Sequence, residues 1–160
     1  MHGKDMHHDT HGNMHYVHLL IMTILSFIAM YAFMYSMVDS FANVYSSLNQ
    51  VYMAAVMTAL MVIIEIIVMR AMYQNKKRNA LVLSLSVLAL IVFFTFIRQQ
   101  IAITDKQFLR SMIPHHAGAI LMCEQSPAQS QTIKNLCKNI ISSQQAEIEQ
   151  MKALLRELEN

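Results

Sequence analysis

The sequence predicts an all-α membrane protein in which three transmembrane helices are followed by an antiparallel helical hairpin. Hydrophobic residues make up 55% of the 160 residues and charged residues only 14%, whereas soluble domains carry about 25% charged residues. Three long apolar runs account for this excess, and the last third of the chain is amphipathic. We therefore divide the chain into a tail (1–15), a membrane domain (16–103) and a hairpin domain (104–160).

The tail is rich in histidine and methionine and has no apolar period, which predicts a disordered segment. Six of the eight histidines lie in the first 18 residues: His2, His7, His8, His11, His15 and His18. A segment without fixed geometry selects poorly among Cu(II), Zn(II) and Ni(II). We interpret the tail as a metal-collecting arm, and the alternative is a polar leader that is His-rich by chance.

The membrane domain contains three apolar runs, at about 16–38, 51–73 and 80–103. A helix of 23 residues is roughly 35 Å long, which is enough to cross a bilayer core of about 30 Å. Backbone groups in lipid must be satisfied within the segment, so the runs are predicted to be helices in a lipid bilayer.

The connections between the runs predict the orientation. Lys76, Lys77 and Arg78 lie between the second and third runs, whereas residues 39–50 contain no basic residue. Lysine and arginine mark the cytoplasmic side. We expect a bacterial cytoplasmic (inner) membrane, with the N-terminus inside and the C-terminal domain in the periplasm or outside the cell.

The second run carries methionines at every fourth position together with Glu65. An acidic residue within a span is a functional candidate, and this face could line a route for Cu(I). The alternative is a lipid-tolerant methionine face on which Glu65 pairs with Arg70 or reaches the interface.

The hairpin domain is predicted from two amphipathic segments, 104–124 and 127–160. Ser126-Pro127 is typical of a helix start, and Pro114 is expected to kink or restart the first helix. Folding the segments back at residues 125–126 places His115 level with Cys137, and Asp105 level with Glu147. In that register Cys123 and Cys137 are not level.

One stripe of the first segment contains Met112, His115 and Met122, and His116 is adjacent. Thioether and thiolate ligands select Cu(I), and imidazole binds copper and zinc alike. The alternative interpretations are methionine as core filler, a hydrogen-bonded core histidine, and cysteine as a small core residue.

The residues Met112-Ile113-Pro114-His115-His116-x-Gly118-Ala119-Ile120 resemble the signature of a bacterial domain-of-unknown-function family. The similarity covers about the last 57 residues. The resemblance implies a ferritin-like fold, of which the hairpin would be half of a four-helix bundle. Some members, the CopM-like proteins, bind copper. By this resemblance the candidate ligands are Met112, His115, His116, Met122 and Met151, and Cys137 is a further thiolate candidate. Cys123 and Cys137 depart from the alanines usual in the family, and Leu154 from a frequent tryptophan.

These observations predict a non-catalytic, membrane-anchored protein that binds copper, as Cu(I), for sequestration, handover or tolerance; zinc or another divalent metal is the alternative ion. Because a two-helix domain buries little core, we expect a homo-oligomer formed through the hairpin; the alternative is a hairpin that docks on the extended membrane helices. For the function, an adaptor subunit that docks on a copper transporter or oxidase is the alternative. A ferritin-like metal-dependent oxidoreductase would need Glu-x-x-His motifs, which the chain lacks. The net charge of +2 and the lack of a basic-aromatic cluster argue against nucleic acid.

Overall fold

The fold, seen in a computed structural model, is described for residues 5–159, with side chains from Met14 onward. Over that range the chain forms α-helices and two short 3-10 turns and no strand, which confirms the all-α prediction. The helices are α1 (Asp5–Phe33), α2 (Leu48–Val68), α3 (Lys76–Gln99), α4 (Asp105–Glu124) and α5 (Gln131–Glu157). The 3-10 turns are Met34–Met37 and Phe41–Asn43.

Helix α1 begins at Asp5, so residues 5–15 are helical where the sequence predicted no regular structure. Extending an existing helix fixes one residue for each new hydrogen bond and is much easier than nucleating one, which accounts for the difference. His2 and the side chains of His7, His8 and His11 lie outside the described residues, and with them the predicted metal-collecting arm.

Three helices are long and apolar enough to cross a membrane, as predicted: Met14–Met37, Leu48–Val68 and Lys76–Gln99. The second begins three residues before its predicted start because Ser47 caps it. The side-chain oxygen of Gln50 accepts hydrogen bonds from the backbone N–H of Ser47 at 3.0 Å and from its hydroxyl at 2.9 Å. This is the reciprocal part of a capping box.

The chain divides into two compact units. The first contains the chain up to residue 31 together with residues 51–99. Helix α2 is the most buried of its three helices, whereas α3 has no buried residue. An apolar cavity of about 590 Å³ lies among the three.

The three helices of this unit are joined at the end that carries the basic connection. The Tyr16 hydroxyl donates to Asn79 Oδ1 at 2.6 Å, and the Asn79 amide donates to the backbone oxygen of Tyr73 at 2.6 Å. The rings of Tyr16 and Tyr73 are 5.4 Å apart. The Tyr73 hydroxyl donates to Glu65 at 3.2 Å, so the partner of Glu65 is a tyrosine rather than the predicted Arg70.

The second unit combines residues 32–50 with residues 100–159 of the described chain. Helices α4 and α5 pack against each other around Ile113, Ala117, Ile120 and Ile148, each at most 2% exposed. A core of this kind, built from one face of each of two helices, is what the amphipathic pattern predicts.

The segment between α1 and α2 packs on this hairpin, which the sequence did not predict. Val38 and Tyr45 contact the core of the hairpin, and Gly118 of α4 leaves room for the backbone of Met37. The Gln107 side chain accepts a hydrogen bond at 2.9 Å from the backbone N–H of Leu48. Leu48 is the first residue of α2, so its N–H has no partner within the helix.

Two local predictions for the hairpin can be compared with the structure. Pro114 lies inside α4, which runs unbroken from Asp105 to Glu124, so it does not restart the helix. The prediction that α5 begins at Pro127 is wrong, because it begins at Gln131. The Ser126 hydroxyl instead accepts from the N–H of Ala128 at 3.3 Å, a local turn that competes with helix formation.

Candidate functional site

The register of the hairpin is set by polar contacts between α4 and α5. His116 Nε2 lies 2.7 Å from Glu147 Oε2, and Glu159 Oε1 lies 2.9 Å from Arg110 and 3.1 Å from Lys106. His116, and not Asp105, therefore faces Glu147, and the predicted register is wrong by about three helical turns. The longer connection accounts for part of this difference, since six residues separate the two helices and not two.

His116 is the buried histidine of the hairpin, with 8% of its surface exposed. Its Nδ1 lies 3.0 Å from the backbone oxygen of Met112. A carbonyl oxygen only accepts hydrogen bonds, so Nδ1 carries a hydrogen and donates it. The second nitrogen, Nε2, is thereby aimed at Glu147 and lies within hydrogen-bond distance of that carboxylate.

This arrangement matches the way proteins orient a metal-binding imidazole. Such a histidine donates one ring N–H to a carbonyl or carboxylate, which fixes the ring and leaves the other nitrogen for the ion. Here Met112 fixes the ring of His116, and Nε2 is the nitrogen available once Glu147 releases it.

Two methionines lie at the same level of the hairpin. Met112 precedes His116 by one turn of α4, and Met151 follows Glu147 by one turn of α5. In the observed register, Met112 therefore comes level with Met151. Met151 is 9% exposed and belongs to the core cluster, and Met112 packs against the same cluster. Both also serve as core residues, as the alternative interpretation held.

His115 lies next to this group on the exposed side of α4. The centroids of the His115 and His116 rings are 6.0 Å apart. Met112 is three residues before His115, a spacing at which helix side chains are neighbours. The structure thus brings five side chains to one level, which we call the Met-His group: Met112, His115, His116, Glu147 and Met151.

The two remaining predicted ligands lie away from the Met-His group. Met122 is 56% exposed and follows His115 by seven residues, which is about 10 Å along the helix. Cys137 lies closer to the turn, beside Cys123. In the part of the chain that the structure describes, no three His, Cys, Asp or Glu side chains lie close enough to hold one ion by themselves. This includes the two histidines and the glutamate of the Met-His group, so a metal bound here would depend on thioether sulfur.

The two cysteines form a pair that the sequence analysis missed. Their thiols are hydrogen-bonded to each other across the hairpin, and this contact, more than burial, raises the pKa of Cys123 to about 11. Both are free thiols and half-buried. The prediction that they are not level is therefore wrong, for the same reason as the register.

At the open end of the hairpin the charges are arranged differently. Glu159 accepts hydrogen bonds from Lys106 and Arg110, which lower the pKa of its carboxyl. A groove of about 380 Å³ lies nearby, between Phe108 and Leu109 of α4 and Leu154 and Leu158 of α5. Large apolar side chains are exposed along the two helices and at the end of α5, some of them in this groove, and they include Phe108 at 49%, Met122 at 56%, Leu136 at 56%, Leu154 at 42% and Leu158 at 52%.

Comparison with known proteins gives a family for the chain. The model of the domain of unknown function DUF305 matches residues 95–155. The uncharacterized protein L153 of Acanthamoeba polyphaga mimivirus is 35% identical over 146 residues, which cover 89% of this chain and 95% of that protein. No solved structure matches. The chain therefore belongs to the DUF305 family, and α4 together with most of α5 forms the part that the family model describes.

Proposed function

We propose that the chain is a membrane-anchored copper-binding protein that sequesters or hands over Cu(I) without catalysing a reaction. The observation that carries the proposal is the convergence of Met112, His116, Glu147 and Met151 at one level of the hairpin, with the His116 ring fixed by its hydrogen bond to Met112. Thioether and imidazole together are donors that suit copper, and thioether sulfur favours the Cu(I) state.

The donor set also argues for copper over zinc. Structural zinc sites use four ligands from thiolate, imidazole and carboxylate. The Met-His group offers two imidazoles and one carboxylate, and two of its five members are thioethers, which are soft donors. Zinc or another divalent ion remains the alternative, and it would bind more weakly than Cu(I) if the methionines take part.

Binding requires a change at His116, because its Nε2 is already in a 2.7 Å hydrogen bond. An ion held by His116 would take the position between Nε2 and the Glu147 carboxylate, and the proton displaced from that hydrogen bond would go to water. Glu147 would then turn to solvent or stay beside the positive charge. The Glu147 side chain is 50% exposed and has room to turn. The site is therefore closed without the ion and opens by the rotation of one exposed carboxylate.

The test is a competition titration with Cu(I) on the full-length protein in detergent. Replacing Met112 and Met151 with leucine conserves volume and removes only the sulfur donors, so the copper affinity is expected to fall while the fold is kept. Replacing both His115 and His116 with alanine is expected to lower it further. Met122→Leu is the matched control and leaves the affinity unchanged. Equal affinities for the wild type and the two-histidine variant would contradict the proposal.

The location we propose is the outer face of a bacterial cytoplasmic membrane, and two observations support it: the candidate spans, and the unit that combines residues 32–50 with the hairpin. Two spans, α2 and α3, separate these parts of the chain, so a chain that crosses the bilayer at each returns to the same side. With the basic connection of residues 74–79 in the cytoplasm, the Met-His group lies at the outer face of a bacterial cytoplasmic membrane. An impermeant thiol reagent applied to intact cells should then label the two cysteines. Labelling only after the cells are broken would reverse this orientation.

The partner we propose is a second copy of the chain, paired through the hairpins into a four-helix bundle. Exposed apolar side chains on both helices, such as Phe108, Leu136 and Leu154, would be covered by the pairing. The mass of the detergent-solubilised protein tests this proposal. A monomer with a folded hairpin would contradict it.

The same exposed face favours one further function, that of an adaptor subunit on a copper transporter or oxidase. An adaptor predicts that the protein co-purifies with such a membrane enzyme and keeps no metal after extensive washing. Retained copper in the absence of a partner would argue against the adaptor.

A further inference from the structure

We propose that Cys123 and Cys137 form a second soft-metal site, which binds one Cu(I) ion between two thiolates at the turn end of the hairpin. This site is independent of the Met-His group. Cys123 follows His116 by seven residues, which is about 10 Å along α4, so one ion cannot bridge the two places.

The geometry of the pair supports the site. Cys123 is in the last turn of α4, and Cys137 is in the second turn of α5. In the register set by His116 and Glu147 these positions come nearly level across the hairpin, and the two side chains lie near enough to interact. Both thiols are free and partly exposed, so an ion can reach them from solvent.

The chemistry selects a monovalent soft ion. Thiolates favour Cu(I), and two thiolates complete the linear coordination that Cu(I) accepts. Zinc needs four ligands, and among the side chains described, those of residues 14–159, no third His, Cys, Asp or Glu joins the pair. The structure therefore provides a site that suits a two-coordinate ion and is incomplete for a four-coordinate one.

The binding step balances without an oxidant. Two S–H bonds break, two Cu–S bonds form, and two protons go to water, while copper stays in the Cu(I) state. The product carries one negative charge. Lys134, one turn before Cys137, and Lys138, next to it, lie on the same helix and offset that charge.

The experiment is a Cu(I) titration of the full-length protein in detergent, without oxygen and with a non-thiol reductant. We compare the wild type with Cys123→Ser, Cys137→Ser and the double variant. Each single variant is expected to lose one equivalent of copper together with the ultraviolet thiolate-to-copper absorption, and the double variant to lose no more than either single one. The matched control is Met122→Leu, which lies outside the Met-His group and keeps both signals. The variant with leucine at Met112 and Met151 keeps the thiolate-to-copper absorption and loses only the copper of the Met-His group.

A second measurement does not depend on a variant. In the wild type, one equivalent of Cu(I) bound at this site should protect both thiols from a disulfide reagent. The inference is overturned if the single variants bind as much copper as the wild type, if only one cysteine matters, or if the reduced protein oxidises to a disulfide and releases the ion. If the methionine variant loses its own copper but the cysteine signal remains, the two sites are separate. If the wild type shows only the cysteine signal, the proposed function fails and this inference stands.

Discussion

The contact between His116 and Glu147 makes a sharp prediction about the stability of the hairpin. Replacing Glu147 with alanine removes the acceptor of His116 Nε2, in a residue only 8% exposed. A hydrogen bond to a charged group contributes about 1.5–3 kcal/mol. Because the Glu147 side chain is 50% exposed, water replaces part of the bond, and we expect a loss of about 1–2 kcal/mol.

Hydrogen exchange read by mass spectrometry measures this loss in the full-length protein, since it reports local opening separately for the hairpin and the membrane spans. A loss of about 1–2 kcal/mol corresponds to exchange about 5–30 times faster in peptides from α4 and α5. Peptides from α2 should be unaffected. Glu147→Gln keeps an acceptor in place and should show a smaller acceleration.

The matched control is Glu149→Ala, on the same helix, where the side chain is 62% exposed and lies 3.9 Å from Lys152. Exposed pairs of this kind contribute little, so exchange should stay within about a factor of two of the wild type. Equal exchange in the wild type and Glu147→Ala, or an equal effect of both alanine variants, would refute the assigned register.

Four further predictions follow from other contacts. Gly118→Ala should be tolerated, because the added Cβ would lie 3.4 Å from the backbone oxygen of Met37, an ordinary contact. Gly118→Leu should displace residues 34–37 and speed their hydrogen exchange. Equal exchange in the two variants would contradict the packing of residues 34–37 on α4. Glu65→Gln should leave copper content unchanged in metal analysis, because glutamine still accepts from Tyr73; a loss of copper would support a conduit. Alkylation of Cys123 should be slow at pH 8, and its rate should rise about tenfold per pH unit until the pH approaches the thiol pKa of about 11. A rate that levels off near pH 8.5 would refute the pairing of Cys123 with Cys137. The pKa of Glu159 is lowered, so its ion pairs stabilise the hairpin fully above the ordinary carboxyl pKa, and this stability is lost as the pH falls through the lowered pKa. Thermal unfolding followed by circular dichroism should therefore show a larger loss of stability between pH 7 and pH 3 in the wild type than in Glu159→Gln. Equal losses in the two proteins would refute the ion pairs.

The membrane helices were predictable because length and composition alone determine whether a segment can span a bilayer. The start of α2 was predicted three residues too late, because the contact between Ser47 and Gln50 at its beginning was overlooked. Other contacts within one helix were accessible, as in the spacing of Met112, His115 and His116.

The register between α4 and α5 was not predictable from local patterns. It depends on the length of the connection, and a local turn at Ser126 moved the start of α5 from Pro127 to Gln131. The observed register brings Cys123 near Cys137 and Glu147 beside His116, both of which were placed elsewhere from the sequence. The packing of residues 32–50 on the hairpin was missed for a related reason, because contacts between distant parts of a chain leave no periodic signal.

The central claim is that the Met-His group holds copper through sulfur and nitrogen. X-ray absorption at the copper edge tests it most directly, on the full-length Cys123→Ser/Cys137→Ser protein loaded with Cu(I) and washed with chelator. The account predicts one retained copper with both sulfur and imidazole nitrogen as neighbours, and loss of the sulfur signal when Met112 and Met151 are leucine. Copper that washes out, or copper with oxygen and nitrogen neighbours only, would contradict it.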